Sequence, residues 1–290
     1  MAAALGLLSA RRGRRTIIAE VAGQDQAGRV LGDGTSPERF SEHAIGDGLW
    51  GISIDPPHAT REYLADQLPV RAMADLVASS DTFGYFAAAA PGLHELVTIG
   101  KIWELALERR RTSGADPYDT VIVDAPASGH AVAIMRTPQT FADIAMVGPI
   151  ARQARHIQSS LSDAHHTGVV AVALPADMPV NETIALAGSV REAVGLGLDA
   201  VVANAVYPRR FAARQVPALR RVAGGDGPPL PRAAARAALS QHARADRHRV
   251  QLRRLREALE PRPVVLPFLF APELGRPEIE HLADLLEGGL

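Results

Sequence analysis

The stretch Thr120-Val121-Ile122-Val123-Asp124-Ala125-Pro126-Ala127-Ser128-Gly129-His130 decides the fold. Four β-branched residues in a row favour an extended strand, and the Pro/Ser/Gly run after Asp124 favours a turn. The strand therefore ends on a carboxylate. In open α/β sheets, ligands bind beyond the carboxyl ends of the strands. A carboxylate there can hold a magnesium ion, usually through water. Gly129 lets the backbone come close to a phosphate and offer its N–H. A strand-terminal Asp also serves simply to cap the next turn, and the residues alone leave both roles open for Asp124.

Working outward, similar apolar runs occur at 16–21, 50–54, 169–174, 200–204 and 264–268. Several are nearly continuous, as in strands covered on both faces. Helix-favouring segments lie between them at 62–79, 93–110, 141–161 and 182–194, the last with Asn181 placed as its cap. Alternation of this kind implies an α/β fold with a doubly wound, mainly parallel sheet and helices on both faces. Residues 32–48 read as a surface loop. Residues 208–263 read as a helical, Arg-rich insertion ahead of the last strand, within a single domain spanning 1–290.

The bulk composition narrows the class. The chain has 290 residues, a formal net charge of −1 and no cysteine. That excludes disulfide-stapled scaffolds and thiolate metal sites. The arginines at 11, 12, 14 and 15 follow a short apolar stretch instead of preceding it, the reverse of a secretory signal. A cytoplasmic protein is the expectation. Ser128 and His130 do not lie in a G-x-S-x-G turn and no orienting acid is evident, so a Ser–His hydrolase is the weaker reading.

Several stretches, in order, resemble the ArsA-type ATPases, the group that includes arsenical-pump ATPases and tail-anchored-protein targeting ATPases. Residues 124–130 resemble the family's second switch, D-T-A-P-T-G-H. Pro175-Ala176-Asp177-Met178-Pro179-Val180-Asn181-Glu182-Thr183 is similar to its T-P-E-E-M-P-V-N-E-T, and Asn204-Ala205-Val206-Tyr207-Pro208 to its N-R-V-L-P. Residues 49–55 and 90–96 match further positions. The nearest look-alikes are actinobacterial paired ATPases described as anion transporters. The resemblance implies a P-loop NTPase-like fold and an ATPase that dimerises around ATP and Mg2+, as a homodimer or with a second ArsA-like chain. Asp124 would organise magnesium and water. Gly129 and His130 would sense the γ-phosphate. Asn204 would read the adenine edge, with Pro267 and Phe268 flanking the base. A membrane-associated partner fits the anion-transport association.

The same resemblance marks two departures. The family's phosphate loop, G-K-G-G-V-G-K-[ST], lies just before an Ala-rich helix like residues 1–10. That makes a first strand and loop of about 15–20 residues the expected missing part. Lys101, the single lysine, sits in Ile99-Gly100-Lys101-Ile102 without the required glycine spacing. The first switch should carry a water-activating Asp, yet Ala22 falls at that position, with Glu20 or Asp25 as substitutes after a small shift. Two expectations follow: an ATPase whose start lies further upstream, or a non-hydrolysing subunit paired with an intact relative. Phosphoryl transfer depends on charge stabilisation and positioning, so either loss is severe. The absence of cysteine and of clustered methionines supports neither arsenite pumping nor capture of a membrane helix. The basic helix expected at 233–259 carries Arg236, Arg244, Arg247, Arg249, Arg253, Arg254 and Arg256 and reads as a solvated outer face. The alternative is a contact with lipid headgroups, nucleic acid or an acidic partner. The helix has no aromatics for stacking or membrane anchoring, which favours the solvated face, and no nucleic-acid partner is expected.

Overall fold

The computed structural model describes residues 1–21, 26–32, 40–67, 92–112, 114–145 and 148–289. The chain is mixed α/β, with parallel strands and helices on both sides. It divides into two compact units.

The first unit takes residues 1–168, 189–196 and 273–288. Its sheet has the order β2-β3-β1-β4, built from β1 (Thr16–Glu20), β2 (His43–Gly46), β3 (Leu49–Ser53) and β4 (Thr120–Asp124). β1 pairs in parallel with β3 on one side and β4 on the other, which aligns Glu20 with both Ser53 and Asp124. All five β1 residues are buried. Ile17, Ile52, Ile54, Val97, Leu105 and Ile157 form the centre of the core with their neighbours. β2 runs antiparallel to β3 and falls inside the segment read as loop. The signal for it is the Asp47-Gly48 pair, with Gly48 at φ 67, which closes a two-residue hairpin. Helices α1 (Ala2–Arg11), α2 (Gln26–Leu31), α3 (Pro56–Gln67) and α4 (Leu93–Leu105) belong to this unit. So do α5 (Ser128–Ala145) and α6 (Pro149–Leu161). The sequence reads one helix over 141–161. The chain instead breaks at Gly148, φ 102, and restarts with Pro149 in the first turn, where a missing N–H costs nothing.

The second unit takes residues 169–188, 197–272 and 289–290. Its sheet is fully parallel, in the order β5-β6-β7: Val170–Ala173, Ala200–Val206 and Val264–Pro267. Helix α7 (Asp177–Val194) starts at Asp177, four residues ahead of the expected cap. Asn181 therefore lies inside the helix, and its carbonyl oxygen accepts from Arg254 at 2.5 Å. Much of the segment 208–263 is helical. A 3-10 turn (Ala213–Gln215) leads into α8 (Val216–Gly224) and α9 (Pro229–Ala258). Leu252, Leu255 and Leu259 pack with Val180, Val201 and Ala203 as this unit's core. The final helix, α10 (Arg276–Glu287), returns to the first unit, where Asp284 accepts from Arg11 at 2.6 Å.

The hydrogen-bonded strands thus form two sheets where the sequence implies one. The physical difference lies in β4 and β5. Each pairs on one side only among the described residues. Neither shows the double-sided burial that its apolar run predicts: Val123 and Val172 are among the exposed large apolar residues.

A buried ionic cluster holds the outer part of the first unit. Arg110, with 1% of its side chain exposed, donates to Glu104 at 2.8 Å and to Glu42 at 2.7 Å. Lys101 pairs with Glu62 at 2.8 Å and Glu104 at 3.2 Å. The Tyr118 hydroxyl donates to Glu42 at 2.8 Å. Burial alone would raise the Glu104 pKa. The Arg110 hydrogen bonds and the Lys101 charge outweigh it and hold the group at about 2. A depressed folded-state pKa means that Glu104 stabilises the fold above its unfolded value, near 4.5, and that this contribution fades as pH falls toward 2. Urea titrations should show stability dropping across that window. Glu104→Gln should cost about 3 kcal/mol at neutral pH and flatten the acid limb, because it leaves buried cations short of a charge.

Candidate functional site

The carboxyl ends of β1, β3 and β4 form one edge of the first sheet, carrying Glu20, Ser53 and Asp124 in register. Asp124 is open to solvent, as are Gly129 and His130. Residue 1, at the start of α1, lies within electrostatic reach of Asp124. Helix amino ends present unpaired N–H groups and partial positive charge. This edge therefore combines an exposed carboxylate with a helix terminus.

Gly129 and His130 occupy the first turn of α5, next to Ser128. A Cβ added at Gly129 would meet nothing within 4 Å, so no neighbour in the described fold requires glycine there. Open space at an exposed helix start is what close approach by a ligand needs. Ser128 and His130 are two residues apart on one helix, a spacing at which side chains do not face each other, which disfavours a nucleophile–base pair.

Glu20 turns out to have a structural task. It is 5% exposed, and its two carboxylate oxygens accept the backbone N–H groups of Gln26 at 2.8 Å and Ala27 at 2.6 Å. It caps the start of α2 from the end of β1. Both oxygens are thereby engaged in holding the start of α2. Ala22 and Asp25, the other positions considered for water activation, lie outside the described residues. Lys101 is also accounted for: its side chain is 5% exposed and held by Glu62 and Glu104.

Asn204, Pro267 and Phe268 belong to the second unit, apart from the first three candidates. They gather at the carboxyl ends of β6 and β7, where Val206 pairs with Pro267 and the Phe268 N–H donates to the Val206 carbonyl at 2.9 Å. The register shifts between Ala203 and Val206, and Ala205 adopts φ 57, a left-handed conformation that costs a non-glycine residue about 1 kcal/mol. The Asn204 side-chain oxygen accepts the Ala205 N–H at 2.9 Å. Phe268 stacks on Tyr207 at 4.6 Å and meets Phe270 edge-on at 4.9 Å. Arg210 lies 4.5 Å over Phe270, and Arg244 donates to the Tyr207 hydroxyl at 3.1 Å. His248 Nδ1 accepts the Tyr207 N–H at 3.1 Å. Burial lowers the His248 pKa, and Arg247 and Arg244 lower it further, which favours the neutral ring this hydrogen bond requires. Of this aromatic group, Phe268 is the one named as a base-flanking candidate from the sequence; Tyr207 figures there only within the Asn204–Pro208 motif, and Phe270 and the α9 residue His248 not at all. The Phe268-Leu269-Phe270 alternation was the available signal.

Among the described residues no group of three or more His, Asp or Glu side chains could hold a metal ion unaided. A magnesium ion at Asp124 would take its remaining ligands from water and from a bound phosphate, as this ion commonly does.

With this geometry in view, comparison with known proteins finds distant relatives that are named as ATPases. The chain is 26% identical over 189 residues to the ATPase BagA of Mycobacterium tuberculosis. A Mycobacterium bovis protein also named as an ATPase matches at the same identity and length. In both cases the match covers 63% of this chain and 54% of the relative, so the chain spans about half the length of the curated relatives it matches. No family profile matches the chain. The relationship is distant, and it is to proteins named as ATPases.

The capping role of Glu20 is open to direct measurement. Glu20→Gln keeps one acceptor oxygen and turns an N–H donor toward another donor. It should lower unfolding free energy by about 2 kcal/mol in chemical denaturation. An unchanged midpoint would remove the cap from the account.

Proposed function

We propose that the chain is an ATP- and Mg2+-binding subunit of the ArsA-like, P-loop NTPase-like kind. In this reading it couples nucleotide state to the conformation of a dimer and, through it, to a partner or transported anion. The observation that carries the reading is the exposed Asp124 at the end of a parallel strand, beside the amino end of α1 and followed directly by the start of α5. Asp124 would hold magnesium through water. The backbone at Gly129 and the His130 side chain would meet the γ-phosphate and pass its presence along α5. Asn204, Pro267 and Phe268 would take the adenine, with the amide of Asn204 matching the donor and acceptor of the base edge. The similarity to mycobacterial ATPases supports the same class of chemistry.

A second reading is a nucleotide-binding subunit that does not hydrolyse ATP alone, supported by Ala22 at the position where the resembling family carries a water-activating Asp. Phosphoryl transfer depends on positioning and charge stabilisation, so that loss alone is severe. Such a chain would bind ATP and complete a site with an intact ArsA-like partner.

Calorimetric titration with ATP separates these outcomes. Binding should be strengthened by magnesium, and Asp124→Asn should remove that dependence, weakening Mg-ATP binding by about tenfold or more with the fold retained. Turnover by the chain alone supports the enzyme reading, and binding without turnover supports the partner reading. No ATP binding, or an Asp124→Asn variant indistinguishable from wild type, would refute both.

A further inference from the structure

The α8–α9 hairpin is left over from the nucleotide reading and does not depend on it. Between residues 208 and 263 the sequence carries 14 arginines and four acidic residues, a surplus of ten positive charges in a chain whose total is −1. Asp226 is the sole acidic residue between positions 208 and 245. The turn end of the hairpin is also apolar. α8 has Val216, Leu219 and Val222 on a helix that also carries Arg220 and Arg221, yet none of its residues is buried. Leu230, in the first turn of α9, is 80% exposed and Val222 is 45% exposed. An open groove of about 800 Å³ runs between the two helices, lined by Phe211, Leu219, Val222, Pro231 and Ala235, with Arg214 on the lining as well.

Exposed apolar side chains set among arginines select for a surface that is anionic outside and apolar beneath. We propose that the turn end of the α8–α9 hairpin docks on an anionic lipid bilayer, with Val222 and Leu230 entering the headgroup–acyl boundary and Arg214, Arg220, Arg221 and Arg232 meeting lipid phosphates. Amphipathic helices with a basic face bind membranes in this manner, lying in the interface without crossing it. No helix among the described residues is long and apolar enough to cross a membrane. Nucleic acid is the less suitable polyanion: residues 216–258 contain no Phe, Tyr or Trp on which a base could stack, and the apolar side chains would gain nothing from it.

The test is co-flotation of the full chain with vesicles of phosphatidylcholine alone or mixed equally with phosphatidylglycerol, at about 0.1 M salt, where surface charge is screened beyond about 10 Å. The chain should float with the anionic vesicles and stay behind with the neutral ones. Leu230→Asp, at a position already in solvent, should reduce the bound fraction at least fivefold with an unchanged thermal melt. Arg220→Gln combined with Arg221→Gln should do the same. No flotation, or equal flotation with neutral vesicles, would overturn the proposal. Flotation that Leu230→Asp leaves intact and that soluble polyglutamate or single-stranded DNA abolishes would also overturn it, and would mark the hairpin as a general polyanion surface.

Discussion

The pairing of β1 with β3 on one side and β4 on the other is the constraint on which the first unit depends. Parallel pairing in register sets the ends of all three strands at one edge, and that alone places Glu20, Ser53 and Asp124 in a row. The five residues of β1 are buried completely enough that a one-residue slip would turn Ile17 and Ala19 away from their core partners. Exposure distinguishes the two carboxylates on this edge: Glu20 is buried and caps α2, and Asp124 is open to solvent.

The cations follow the same logic. Lys101 and Arg110 are taken out of water and matched by Glu42, Glu62 and Glu104, so their charge is used to hold α4 and the neighbouring segments together. Most of the remaining positive charge is on arginines, many of them in the insertion. In the second unit, arginines from α9 and the β6–α8 segment surround an aromatic group formed by Tyr207, Phe268 and Phe270. His248 ties α9 to the end of β6 through the Tyr207 N–H. The long basic helix is thereby joined physically to the strand end that carries Asn204.

Much of this was legible in the sequence where local signals act alone. The β-branched run ending at Asp124, the six apolar strands and the helices within 208–263 are all present close to the positions their patterns imply. What was missed depends on pairing at a distance or on short punctuation. β2 has only four residues and is declared by Asp47-Gly48 alone, and the break before α6 is declared by Gly148-Pro149. The double-sided burial inferred for β4 and β5 failed because an apolar run reports what a strand could bury, and pairing decides what it does bury. Glu20 shows the same limit at the site. Its residue type suited a water-activating role, but only the fold shows that the amino end of α2 claims both its oxygens.

Amide hydrogen exchange of the full chain, with and without Mg-ATP, tests the central claim most directly. If the edge marked by Asp124 holds the phosphates, exchange should slow at the first turn of α1 and across residues 124–130, with a second protected stretch at 204–207 and 267–270. Unchanged exchange at 124–130 in the presence of saturating Mg-ATP would contradict the assignment of that edge as the nucleotide site.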